Sequence, residues 1–178
     1  MDTERMEFLR PSNWPDALAA KAEHPDALPI AGGTDVMVEL NFDLRRPSAL
    51  LDLTGVRELA EWGWVDGRVR LGAGMPYTRV ITELGDRLPG LAMASRTVGS
   101  PQIRNRGTVG GNLGAASPAG DGHPPLLAAD AVVEAESAAR GVRMIPVAEF
   151  FTGVKRNALA PDELIRAFWT APAPGPQY

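Results

Sequence analysis

Two short glycine-rich segments hold the residues best suited to chemistry in this 178-residue chain. The first is Ala31-Gly32-Gly33-Thr34-Asp35. The second is Thr108-Val109-Gly110-Gly111-Asn112, followed by the polar run Ser117-Pro118-Ala119-Gly120-Asp121. Glycine lets the backbone take positive φ and lets a ligand approach with no Cβ in the way. Successive peptide N–H groups in such turns converge on an anion without any charged side chain. Two cradles of this kind that meet in the fold suit a ligand with two linked phosphates, so the expected occupant is a dinucleotide.

Neither segment is a standard mononucleotide fingerprint. The chain has no GxGxxG after a strand and no GxxxxGK[ST]. Thr34 can donate its hydroxyl to a phosphate or cap the helix that follows. Asp35 would repel phosphate, so its carboxylate is expected to point away and to accept local backbone N–H bonds near the helix start. The stretch from Ser100 to Asn112 has almost no apolar side chains yet lies between two apolar segments. It is expected to be a long loop without structure of its own, functional or plain surface. Asn112 suits an amide or a ring carbonyl, and Asp121 suits a pair of ribose hydroxyls.

The elements that must position these bends follow from pattern. Ser12 or Asn13 caps a helix with Pro15 in its first turn, ended by His24-Pro25-Asp26. Leu28 to Ala31 reads as a buried strand entering the first bend, and Val36 to Leu40 as a short helix leaving it. That order aims free N–H groups at a phosphate. Ala49 to Leu53 is a second buried strand. Trp64-Val65 and Val69 to Leu71 flank Asp66-Gly67, a strong hairpin signal. Pro76 introduces a helix with Val80, Ile81, Leu84 and Leu88 on one face. A short helix follows His123, which is expected to cap it. Val132 to Glu136 and Val142 to Val147 read as antiparallel strands, and Leu164 to Phe168 as the last strand. An α/β beginning thus gives way to an α+β remainder near Thr54. The Pro-rich tail cannot continue a helix or a central strand and reads as a linker.

Composition narrows the function classes. The length fits one domain or two small subdomains sharing a cleft. A net charge of −4 without a basic stripe argues against nucleic acid as the main partner. With no cysteine and two histidines, the chain carries no iron–sulfur cluster, thiol nucleophile or disulfide, and zinc is not expected. Met1 to Arg10 lacks the apolar core of a signal peptide. No apolar run approaches the ~20 residues needed to span a bilayer, so a cytoplasmic location is expected.

Three stretches together carry a family resemblance: PIAGGTD, SPQIRNRGTVGGNLGAASPAGDGHPPLLAADA and FFTGVKRNALAPDELI. In order and spacing, from about Met6 to Leu164, the chain resembles the FAD-binding medium subunit or domain of the molybdenum hydroxylases. TGVKRNAL and ASPAGD are most similar to bacterial xanthine or purine dehydrogenase flavin subunits. The resemblance implies an α+β, PCMH-type FAD-binding fold. A small parallel α/β subdomain (1–55) and a larger antiparallel-sheet subdomain with helices (56–170) would enclose FAD, with a linker-like tail (171–178). It implies that Pro29, Ile30, Ala31, Gly32, Gly33, Thr34, Asp35 and Val36 wrap the pyrophosphate and neighbouring ribityl. Thr108, Val109, Gly110, Gly111 and Asn112 would form a second cradle, and Asp121 would hold the adenosine ribose. Val98 would pack on the cofactor, and Leu164 or Ile165 would lie near the isoalloxazine. Ser117 and Lys155 are further candidates, a capped turn and a solvated lysine being their plain alternatives.

The resemblance further implies partners. A large subunit would carry the molybdenum cofactor, a small subunit [2Fe-2S] clusters, and electrons would leave through FAD to NAD or another acceptor. No residue of this chain needs to be a nucleophile or general base, and the flavin would be bound non-covalently. Family members continue beyond the position of Tyr178 into a C-terminal domain. Two rival readings are a free-standing flavoenzyme of the vanillyl-alcohol-oxidase or MurB-like group and a cofactor-free assembly module. Gly110→Val and Gly33→Val are both expected to abolish flavin uptake while sparing the fold.

Overall fold

The computed structural model describes residues 6–171, so the linker-like tail lies almost wholly outside the described residues. The first sheet holds β1 (Glu7–Leu9), β2 (Leu28–Ile30) and β3 (Ala49–Asp52) in the order β1-β3-β2, with both pairings parallel. Parallel neighbours need crossovers. The helix α1 (Trp14–Glu23) supplies the one between β1 and β2, and α2 (Val36–Asn41) the one between β2 and β3. Helix α1 begins as its sequence dictates: the Asn13 side chain accepts from the Asp16 N–H, Pro15 sits in the first turn, and His24 closes the C-terminus. Its buried Trp14, Ala17 and Leu18 cluster with Leu51 of β3.

The second sheet is antiparallel throughout. It comprises β4 (Trp62–Val65), β5 (Arg68–Gly72), β6 (Val132–Ser137), β7 (Gly141–Pro146) and β10 (Leu164–Thr170), in the order β4-β5-β10-β6-β7. The Asp66-Gly67 hairpin has positive φ at both turn residues, 50° and 75°, matching the twist of its strands. Between β5 and β6 run α3 (Tyr77–Glu83), α4 (Pro89–Ser95), α5 (Pro101–Arg106), α6 (Val109–Ala115) and α7 (His123–Ala128). Helix α8 (Val147–Phe150) and the ribbon β8 (Phe151–Gly153) with β9 (Arg156–Asn157) precede β10. Val69, Leu71, Val133 and Phe168 of the sheet share one buried cluster with Val80, Leu91, Leu113, Leu126 and Phe150 of the helices.

The last strand in sequence is the middle strand in space. Its Leu164 joins the cluster of the small sheet and its Phe168 that of the large one. A polar network also ties the two parts. Arg70 grips Glu134 bidentately at 2.8 and 3.0 Å, and Trp169 donates to Glu134 at 2.5 Å. Arg166 and Trp14 both donate to Glu136, at 2.9 and 2.7 Å.

Several local expectations need correction. The stretch from Ser100 to Asn112 is not a structureless loop. Ser100 caps α5, Pro101 occupies its first turn, and Thr108 caps α6. Both helices are one to two turns long, too short for apolar periodicity to betray them. His123 does not cap α7: Gly122 does, and the His123 ring stacks on Phe151 at 4.3 Å between centroids. The Pro76 helix stops at Glu83, and Leu84 and Leu88 are buried beyond it. Strands β1, β8 and β9 had no sequence signal, being two or three residues long.

Candidate functional site

The first bend stands at the carboxyl ends of the parallel strands, where open α/β sheets bind ligands. Gly33 has φ +76°, which lets β2 turn sharply into α2. A Cβ built on Gly32 would collide with the Arg106 carbonyl, and one on Gly107 would come within 3.5 Å of Thr34 Oγ1. The two glycine-rich bends, seventy-odd residues apart in sequence, therefore touch. Among the described residues, the amides of Gly32, Gly33, Thr34 and Asp35 make no hydrogen bond. Four free donors at the end of a sheet are an anion cradle.

The second bend is built differently from expectation. Val109 N–H donates to the Met75 carbonyl at 3.1 Å and Gly110 N–H to the Ala73 carbonyl at 2.8 Å. Gly111 N–H is capped by Thr108 Oγ1 at 3.0 Å, and Asn112 N–H donates to the Thr108 carbonyl at 3.0 Å. The run of amides is spent on stitching α6 to the chain leaving β5. What remains for a ligand is the Thr108 amide, the Thr108 hydroxyl hydrogen and the Asn112 side-chain NH2. Gly110 and Gly111 do not have positive φ; a Cβ on Gly110 would meet Ala73 at 2.6 Å, so close packing is its reason.

A cavity of about 850 Å³ opens between the two bends, toward the upper end of the ~300–1,000 Å³ range of small-molecule sites. Of the residues expected at a site, Pro29, Ala31 through Val36, Val98, Thr108, Gly110, Gly111, Asn112, Leu164 and Ile165 line it. Four do not. Ile30 lies beneath Gly33, and Val109 is fully buried in the core. Ser117 Oγ accepts from the Ala119 N–H at 3.3 Å, and Asp121 Oδ1 accepts weakly from Thr97 Oγ1 at 3.4 Å. The Asp35 side chain makes no cap, contrary to expectation, because the chain is already helical at that residue (φ −107°, ψ −51°).

Lys155 is paired rather than free. It reaches across the cavity rim from the β8–β9 turn to Glu39 of α2 at 2.6 Å, and Arg45 faces the same carboxylate at 3.5 Å. The Lys155 hydrogen bond holds Glu39 below the usual carboxylate range, and Glu39 holds Lys155 above the usual amine range. Glu163, at the cavity edge, is fixed by both nitrogens of Arg143, at 3.0 and 2.6 Å, and by the Ala160 N–H. Burial pushes its pKa up, but these donors outweigh burial and leave it lowered. Pattern reading did not find Tyr77, whose ring lies against Gly107 and lines the cavity. Only its place directly after Pro76, at a helix start, marked it in sequence.

Parallel strands ending on a free-amide cradle, facing an antiparallel sheet across one large cavity, define a nucleotide-cofactor domain. The family model described as FAD binding domain in molybdopterin dehydrogenase matches residues 4–169, and the chain belongs to that family. A nicotinate dehydrogenase FAD-subunit of Eubacterium barkeri is 36% identical over 166 residues, covering 89% of this chain and 56% of its own. A putative xanthine dehydrogenase FAD-binding subunit of Escherichia coli (strain K12) is 35% identical over 174 residues, covering 94% and 58%. The chain therefore spans less than two thirds of the length of these relatives.

Among solved structures, carbon monoxide dehydrogenase from Hydrogenophaga pseudoflava superposes with a TM-score of 0.91 at 27% identity. The match covers 96% of this chain and 60% of that one. Quinoline 2-oxidoreductase from Pseudomonas putida 86 gives 0.90 at 29% identity, covering 98% and 61%. The expected fold, a small parallel unit beside a larger antiparallel one, is the fold observed. Among the described residues no helix is long and apolar enough to cross a membrane.

Proposed function

We propose that this chain holds FAD non-covalently in the cavity and serves as the flavin module of a molybdenum-dependent dehydrogenase. The observation that carries the reading is the set of free amides from Gly32 to Asp35 opening into the cavity. These amides would hold the pyrophosphate, with the Thr34 hydroxyl, the Thr108 hydroxyl and the Thr108 amide as further donors. Asn112 would donate its side-chain NH2, and Asp121 would accept at the adenosine ribose from just outside the lining. Val98, Leu164 and Ile165 would give apolar contact, the last two at the isoalloxazine end. Neither His24 nor His123 lines the cavity, which supports attachment without a covalent bond.

FAD, when bound, supplies the electron-carrying chemistry, and the protein supplies position and electrostatics. No side chain of this chain is assigned a proton-transfer role; Glu163 and Glu39 are both held ionised by basic partners. The division at 55/56 places the pyrophosphate cradle on the small unit and the β10 contacts on the large one. The relatives named as FAD subunits of dehydrogenases, and a family described as belonging to molybdopterin dehydrogenase, support an assembly with other subunits. By family resemblance these would be a molybdenum-cofactor large subunit and a [2Fe-2S] small subunit, with NAD or another carrier as acceptor, in the cytoplasm. Substrate selection would then belong to another polypeptide.

The visible spectrum of the purified chain is the direct test. A yellow, bleachable band released on acid precipitation is the expected result. A colourless protein that takes up no added FAD would overturn the reading.

A further inference from the structure

Among the described residues, one buried side-chain polar atom lacks a hydrogen-bond partner, and it belongs to a cavity-lining residue: the hydroxyl of Tyr77. Tyr77 is 1% exposed. Its position is fixed by its N–H bond to the Gly107 carbonyl at 3.1 Å and by contact of its ring with Gly107. The ring runs beneath the second bend. Its buried hydroxyl ends near Asn112: the Tyr77 hydroxyl oxygen and Asn112 Oδ1 both come within 2.9 Å of a Cβ built on Gly122. A buried hydroxyl without a partner carries its full desolvation cost, and such a group in a native site calls for a partner from outside the chain.

We infer that Tyr77 is a positioning residue for the cofactor, its hydroxyl donating to an oxygen of the nucleotide half between Thr34 and Asp121. This rests on the FAD reading above. The hydroxyl is a donor rather than a phenolate, since burial and the nearby Asp121 charge push its pKa above the ordinary range. The nucleotide half is indicated by neighbours. Gly107, against the ring, lies next to Thr34 of the free-amide bend, and Gly122, at the hydroxyl, adjoins Asp121. The isoalloxazine contacts assigned to Leu164 and Ile165 lie on a different element, β10.

The test is Tyr77→Phe in the full chain, measuring the apo melting temperature and the dissociation constants of FAD and ADP. Phenylalanine keeps the ring and removes an unpaired group, so the apo protein should melt at the same temperature or a few degrees higher. Both FAD and ADP should bind about five- to tenfold more weakly, the size of one lost neutral hydrogen bond. Equal FAD affinity in the two proteins would overturn the inference and leave the cofactor reading intact. A failed or lower apo melt would make the hydroxyl structural and also overturn it. Loss of FAD affinity with ADP unchanged would remove the contact from the nucleotide half. Absence of FAD binding by the wild-type chain would overturn the cofactor reading itself, and this inference with it.

Discussion

Gly33 and Gly110 look alike in sequence but carry opposite constraints. Gly33 needs its conformation: φ is +76°, while a built Cβ would make ordinary contact, its nearest neighbours being side-chain carbons of Met37 at 3.4 Å and Ile30 at 3.5 Å. Gly33→Ala should cost about 1–2 kcal/mol of backbone strain, a Tm loss of roughly 2–8 °C for a domain of this size. The fold should survive, with FAD uptake impaired. Gly110 needs its emptiness: a Cβ there meets the Ala73 carbonyl oxygen at 2.6 Å. Gly110→Val should therefore break the α6 contact with Ala73 and damage the fold itself, against the expectation from sequence. Circular-dichroism melts of the two variants separate these outcomes; a native-like melt for Gly110→Val would mean α6 is seated elsewhere.

At the scale of elements, β10 joins the two parts and Glu134 joins β10 to its neighbours. Burial raises the Glu134 pKa, but the Arg70 and Trp169 hydrogen bonds and the Arg70 and Arg166 charges together leave it lowered. Glu134→Gln should cost ~3 kcal/mol, because the guanidinium of Arg70 is left without its anion in a largely buried site. A lowered folded pKa means stability that is present above the unfolded value and lost as pH falls through the folded one. Glu39 and Glu163 are shifted in the same direction. Chemical denaturation should thus give a stability that is flat near neutrality and falls as the pH drops below about 4.3, the unperturbed Glu value. Glu134→Gln should flatten that fall; an unchanged profile would remove Glu134 from the cause. The Glu39–Lys155 clasp is half-exposed at the lysine, and its worth is below ~1 kcal/mol.

For the whole molecule, residues of both buried clusters line the cavity, Leu59 and Leu164 from one and Tyr77, Val98 and Ile165 from the other, so a ligand seated in it should brace one part against the other. Ligand that binds the native state alone stabilises by about 2.7 kcal/mol at 100 times its dissociation constant. For a domain of this length that is a Tm rise of roughly 5–11 °C. Thermal melts with and without FAD check it, and an unshifted Tm at high FAD concentration would mean that the native chain does not take up the cofactor.

The chain's own letters determined the elements whose signals are local. These are the Asn13-capped helix, the Asp66-Gly67 hairpin, the apolar strands β2 and β3 (β2 only half-buried, where the sequence predicts a buried strand), and the first glycine bend. Tertiary structure decided what depends on partners distant in sequence. It spent the second bend's amides on Met75 and Ala73, turned an apolar-poor stretch into two capped helices, placed the last strand in the middle of a sheet, and left Tyr77 with a donor and no acceptor. The physical reason is that a glycine-rich motif specifies which backbone is free to bend, whereas the hydrogen-bond ledger of its N–H groups closes only when the rest of the chain has come to lie against it.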